Sequence, residues 1–114
     1  MDFDRYTVVL LELRPDAPQL DDAAAAALQD AHLDHLAKLH EQGHLLAAGP
    51  LDDPRFRGLS ILRVDEEEAR RLKETDPAVQ AGRFRLRVTS WQVPSGAMSF
   101  SATRFPHSVA EVTA

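Results

Sequence analysis

The stretch Asp30-Ala-His32-Leu-Asp-His-Leu36-Ala-Lys-Leu39-His-Glu-Gln-Gly43-His-Leu-Leu-Ala-Ala-Gly49-Pro50 holds a helix, a stop and a strand within 21 residues. At 100° per residue, Leu28, His32, Leu36 and Leu39 fall on one narrow stripe, flanked by Ala31 and Leu33. Asp30, Asp34, Lys38 and Glu41 fall on the opposite, solvent-facing side. The pattern predicts a helix over 22–42. It opens on a cap at Asp21 or Asp22, runs through the strong helix formers Ala23 to Ala27, and stops at Gly43. His44 to Ala48 then reads as a short strand, and Gly49-Pro50 as the turn that ends it.

Working outward, Tyr6 to Leu13 is rich in large apolar and β-branched residues and predicts a first strand, closed by Arg14-Pro15. Gly58 to Val64 predicts a third strand, and Asp65 caps a helix from Glu66 to about Lys73. The final strand, Arg83 to Val93, alternates. Phe84, Leu86 and Val88 point toward the helices, while Arg83, Arg85, Arg87 and Thr89 point the other way. The order is βαββαβ, an α+β ferredoxin-like sandwich with two helices on one face of an antiparallel sheet. No internal repeat is present. Residues 1–93 form the domain. Residues 94–114 form a C-terminal extension of scattered Ser, Thr and Ala with isolated Phe100, Phe105, Val109 and Val112, either disordered or packed on a partner chain.

Composition narrows the function. The 114 residues suit one domain, and a hydrophobic fraction of 44% suits one core. Cysteine is absent, which excludes disulfides, thiolate catalysis and cysteine-ligated metal. The net charge of −5 argues against a general nucleic-acid binder, although locally clustered arginines leave room for a small anionic ligand. Val8 to Leu11 is too short and too near charges for a signal peptide, and no segment has the length of a membrane span. A cytoplasmic protein without membrane contact is expected.

An imidazole on an apolar stripe needs a partner, since a buried polar group without a hydrogen bond costs roughly 1–3 kcal/mol. The best acid is Asp76 in Thr75-Asp76-Pro77, placed to cap a short helical turn with Pro77 at its first position. A capping carboxylate has a second oxygen free for an imidazole. Such a pair is a proton-transfer device or a plain structural pair, and a core histidine bonded to a backbone carbonyl is the blander reading of His32. No serine adjoins the pair in sequence. Ser60 falls on the third strand, with alternation leaving its face open. His35 borders the apolar face and is placed to line the same cleft. His40 and His44 read as surface or packing residues. The histidine spacing lacks the His-Glu-x-x-His pattern of a zinc site, so no metal is expected. Arg83, Arg85 and Arg87 read as a row paired with carboxylates such as Glu12 on the first strand. The alternative is that Arg85 or Arg87 grips a substrate carboxylate or phenolate. Gly49-Pro50 lacks the spacing of a phosphate loop, and no cofactor motif is present.

Two runs carry a family resemblance. The 30–50 stretch resembles the His-Leu helix, glycine and Ala-Gly-Pro strand end of the YCII-related (YciI-like) family. Asp76-Pro77-Ala-Val-Gln-Ala-Gly82 resembles its Asp-Pro-x-x-x-x-Gly segment, in the family's order and spacing. Together they cover most of residues 6–93. The resemblance implies a homodimer that packs two sheets face to face as a dimeric α+β barrel. It implies that His32 and Asp76 stand at the family's His–Asp dyad, His32 as general base. It also implies cofactor-free hydrolytic or lyase-type chemistry on small organic substrates, aromatic ones among them. A different class stays open: a non-catalytic small-molecule-binding or protein-interaction module, since such domains also occur fused to other proteins. A polar cleft beside His32 with room for a substrate discriminates between the two.

Overall fold

The computed structural model describes residues 1–113. Strands β1 (Phe3–Leu13), β2 (Leu45–Pro50), β3 (Phe56–Leu62) and β4 (Phe84–Pro94) form one antiparallel sheet in the order β2-β3-β1-β4. Helices α1 (Asp22–Glu41) and α2 (Glu66–Lys73) complete the ferredoxin-like α+β sandwich expected from the element order. A single turn, α3 (Pro77–Gln80), and a short C-terminal helix, α4 (Val109–Thr113), are added to it.

The local chemistry explains the boundaries. Asp21 caps α1 by accepting from the Ala24 amide at 2.8 Å, and Asp65 caps α2 by accepting from Glu68 at 2.9 Å. Gly43 follows α1 at φ 84°, the left-handed stop that glycine adopts without a Cβ clash. β1 begins three residues before the expected start because Phe3 to Arg5 pair with the far end of β4.

Val9, Leu36, Leu39, Leu45, Leu62, Ala69 and Leu72 make the main core, and Leu11, Ala78 and Phe84 a second cluster beside it. Thr7, Val9 and Leu11 of β1 and Gly58, Ser60 and Leu62 of β3 are buried, in register with one another, while the residues that alternate with them, Glu12 apart, are not. On the other sheet face lies buried Glu12. Arg55 reaches it at 2.5 Å and Arg87 at 2.9 Å, with Arg85 at 3.6 Å. The hydrogen bond from Arg55 foremost, with Arg87 adding, holds the Glu12 carboxyl below its ordinary pKa against the effect of burial.

The register slips once between β1 and β3: Leu11 faces Gly58, but Glu12 faces Phe56. Arg57 is the extra residue of this bulge, a device that re-aims a side chain.

The extension folds back on its own chain. Phe105 stacks on His40 of α1, ring centroids 4.0 Å apart and 11° from parallel. His107 sits between Asp34 at 2.6 Å and Glu41 at 2.8 Å, and the Val109 amide donates to Asp30 at 2.9 Å. The acidic face of α1, expected to meet solvent, is therefore the seat of the extension. Packing on its own chain is not among the expected states of residues 94–114, and Ala114 lies outside the described residues. Among the described residues no helix is long and apolar enough to cross a membrane.

Candidate active site

Three short segments converge on His32. It lies on the inner stripe of α1 with Leu36 and Leu39, and all three are buried. Asp76 is the cap of α3, fully buried. One of its oxygens accepts from the Ala78 amide at 2.9 Å. The other lies 2.6 Å from His32 Nδ1. The cap and the imidazole thus share the two oxygens of one carboxylate. A carboxylate only accepts, so the partner assigns the proton to Nδ1. Nε2 is left with its lone pair and makes no hydrogen bond among the described residues. The ring is further set by Phe84, 6.4 Å away between centroids and tilted by 54°.

The electrostatics keep Asp76 ionised. Burial pushes its pKa up, but the hydrogen bond from His32, the Ala78 amide and Lys73 together outweigh that, and the carboxyl stays below its ordinary range. His35 lies behind the pair. Thr75 donates its hydroxyl to the Leu72 carbonyl at 2.7 Å and so accepts from His35 Nε2 at 2.9 Å. The other ring nitrogen, Nδ1, is buried without a hydrogen bond, 3.9 Å from Asp76. Burial above all, then the nearby Lys73 and His32, lower the His35 pKa against the pull of Asp76, which keeps the ring neutral near pH 7.

His32 forms part of the wall of a cavity of about 570 Å³ between α1 and the sheet. That volume falls in the range of roughly 300–1,000 Å³ usual for small-molecule sites. Ser60 and Phe84 line it from the sheet, and Phe105 and Val109 of the extension line it too. Arg57, re-aimed by the bulge, and Arg83 also border it. The Arg83 guanidinium lies over the Phe84 ring, 5.0 Å from its centroid.

The structure thus gathers His32, Asp76 and Ser60 at one place. His35 is behind the wall and does not line the cavity. Arg85 and Arg87 do not join it either. They lie on the opposite sheet face and reach Glu12, as the paired reading of the arginine row expects. Arg83 departs from that row because β4 starts only at Phe84, so strand alternation does not govern it. Among the described residues no group of three His, Asp or Glu side chains is arranged to hold a metal.

One buried group escaped sequence reasoning. Lys73, the last residue of α2, is fully buried and donates to Ser60 Oγ at 3.1 Å. Burial lowers its pKa to about 8, with Asp76 opposing. A lysine in a last helical turn reads as a surface partner of the helix dipole. The signal that points inward is its spacing: Lys73 stands four residues after buried Ala69 and beside buried Leu72.

A buried His–Asp pair thus stands at the wall of a cavity in a ferredoxin-like sandwich. The chain belongs to the YCII-related domain family, whose model matches residues 7–92. Among solved structures it is similar to 5-chloro-2-hydroxyhydroquinone dehydrochlorinase (TftG) from Burkholderia phenoliruptrix AC1100, in complex with 2,5-dihydroxybenzoquinone. The TM-score is 0.50 and the identity 25%, over 75% of this chain and 92% of that one. No curated protein matches the chain significantly.

Proposed function

We propose that this protein is a small enzyme in which His32, oriented by Asp76, acts as general base on a small hydroxylated aromatic substrate, in hydrolase- or lyase-type chemistry. The observation that carries this is the 2.6 Å contact between Asp76 and His32 Nδ1, on a ring that borders the cavity. With Nδ1 committed to the carboxylate, Nε2 is the basic atom. It takes a proton from a substrate O–H or C–H, or from water. Asp76 holds the tautomer and stabilises the imidazolium that forms. The apolar walls, Phe84 and Phe105 among them, suit a flat ring. Activity of a structural neighbour on a chlorinated hydroxyhydroquinone supports this substrate class and favours elimination with loss of a leaving group.

The test is chloride release from 5-chloro-2-hydroxyhydroquinone and related halogenated phenols and hydroquinones. Turnover by the wild-type protein that His32→Ala abolishes is the expected result. Ligand binding without turnover across the series, or equal turnover by the variant, would overturn the enzymatic reading, and the former would assign a binding module instead.

The homodimer belongs to the same proposal. The sheet face opposite the helices presents half-buried Val8, Leu10, Leu59 and Ile61 around the Glu12 ion pairs, a surface suited to a second copy. A monomeric mass in light scattering at micromolar concentration would sink it.

A further inference from the structure

Lys73 and Ser60 form a second buried polar pair beside His32, and the proton-transfer step above does not use it. A serine hydroxyl has one proton to donate and two lone pairs to offer. The Lys73 ammonium donates to Oγ at 3.1 Å and so occupies a lone pair. The hydroxyl proton finds no acceptor among the described residues, yet the side chain borders the cavity. Ser60 is 3% exposed and Lys73 0% exposed, so neither is a surface residue turned inward by chance. A fully buried ammonium with one neutral hydrogen-bond partner is costly. Such a charge raises the acidity of the serine proton and strengthens any hydrogen bond it makes.

We infer that Ser60 is a substrate-binding donor, presenting its O–H to an anionic or carbonyl oxygen of the bound ring, and that Lys73 is the positioning residue that turns and polarises it. The inference rests on the proposed function and names a recognition element for it: a phenolate or quinone oxygen on the side of the ring that faces the sheet. As His32 withdraws a proton, negative charge develops on the substrate, and a pre-aimed donor in a dry site stabilises it without reorganisation.

The arrangement carries its own pH readout. The groups that bear on the ammonium are Asp76 at the cap of α3, His35 on α1 and Ser60 on β3. Asp76 is ionised and His35 neutral above pH 7, since both pKa values are lowered. When Lys73 loses its proton, near pH 8, the amine becomes an acceptor. Ser60 then turns its O–H toward the amine, and the cavity loses both a donor and a nearby positive charge.

The experiment measures binding of 2,5-dihydroxybenzoquinone to the full chain by its visible absorption, between pH 7 and 9.5. For the wild type, affinity should fall on the order of tenfold as pH rises through 8, in line with the loss of one charge-assisted hydrogen bond. Ser60→Ala and the nearly isosteric Ser60→Cys should bind about tenfold more weakly at pH 7. Lys73→Met should do likewise, with the pH dependence gone. Undetectable binding by the wild type, wild-type affinity in Ser60→Ala, or an undiminished pH step in Lys73→Met would each overturn the inference. The wild-type pH titration stands as a test even if a variant fails to fold. Unchanged affinity in Ser60→Ala together with turnover that depends on His32 would remove this inference and leave the proposed function standing. Weakened binding in Ser60→Ala without turnover of any aromatic would do the reverse.

Discussion

The chain contains two histidine–carboxylate pairings of similar length and opposite setting. His32 meets Asp76 at 2.6 Å inside the sandwich, and His107 meets Asp34 at 2.6 Å on its outer surface. The buried pairing uses one ring nitrogen and leaves the other toward a cavity. The surface pairing uses both, since Glu41 takes the second nitrogen at 2.8 Å. A ring with a carboxylate on each side is held as a cation. The hydrogen bonds to Asp34 and then Glu41 raise the His107 pKa above its ordinary value. Distance therefore does not mark a catalytic pair. What separates the two is a free nitrogen, exclusion of solvent and room for a ligand. On the proposed reading His32 moves a proton, while His107 fastens the extension.

The largest effect that could break this contrast comes from His32→Ala. Turnover should fall by about 10²–10⁴-fold, the usual worth of a general base, with the circular dichroism spectrum unchanged. His107→Ala should leave the chemical step intact. Comparable losses in both variants, measured with one substrate at saturation, would erase the distinction.

Next is Asp76, where structure and chemistry share a carboxylate. Asp76→Asn keeps the cap, since Asn caps almost as well as Asp, but it no longer enforces the productive tautomer, so rate should fall more than stability. Asp76→Ala removes both contacts and should cost roughly 1–3 kcal/mol in denaturant unfolding, because it strands the imidazole and the Ala78 amide. The pH sign follows from the lowered pKa. The ionised carboxylate contributes stability that is fully present above the ordinary value of 3.8 and is lost as pH falls through the lower folded value. Acid titration of stability should therefore be shallower in Asp76→Asn than in the wild type.

The same contrast shows what the sequence made legible. His32 stood out because an imidazole interrupts an apolar stripe, and Asp76 because Asp-Pro is a helix start whose acid has a second oxygen to share. Both signals are local. The element order βαββαβ was legible from the sequence, and the side assignment of Phe84, Leu86 and Val88 from alternation. Ser60 could not be placed by that rule alone, because its facing depends on its pairing with Val9 and Ala48. Arg57 was hidden by a bulge and Arg83 by a strand that starts one residue later, both of which defeat a period of two. Lys73 was hidden by its residue type, since a lysine is rarely buried whole. The extension was the least legible. Its anchors are scattered: Phe100 packs on Tyr6 of β1, Phe105 on His40, and His107 and Val109 grip a helix face that a helical wheel assigns to water.

The smallest expected effect sharpens the comparison from the surface side. His107 has its pKa raised, so the stability it lends is fully present below the ordinary value of 6.5 and is lost as pH climbs through the higher folded value. Its ring is only half-buried, at the surface, so salt screens it, whereas the buried His32–Asp76 contact is screened far less. Amide exchange at Phe105 to Glu111 should accelerate as pH rises from 6 to 9, beyond the intrinsic base-catalysed increase, and should accelerate further in 1 M salt. Amides of α3, which Asp76 caps, should show neither response. In His107→Ala the extension should exchange quickly at every pH, with the global melting temperature lowered only slightly, because Phe105 on His40 and Arg104 on Glu111 remain. Protection of the extension that ignores pH, salt and this substitution alike would show that its apolar contacts suffice, and that His107 fastens nothing.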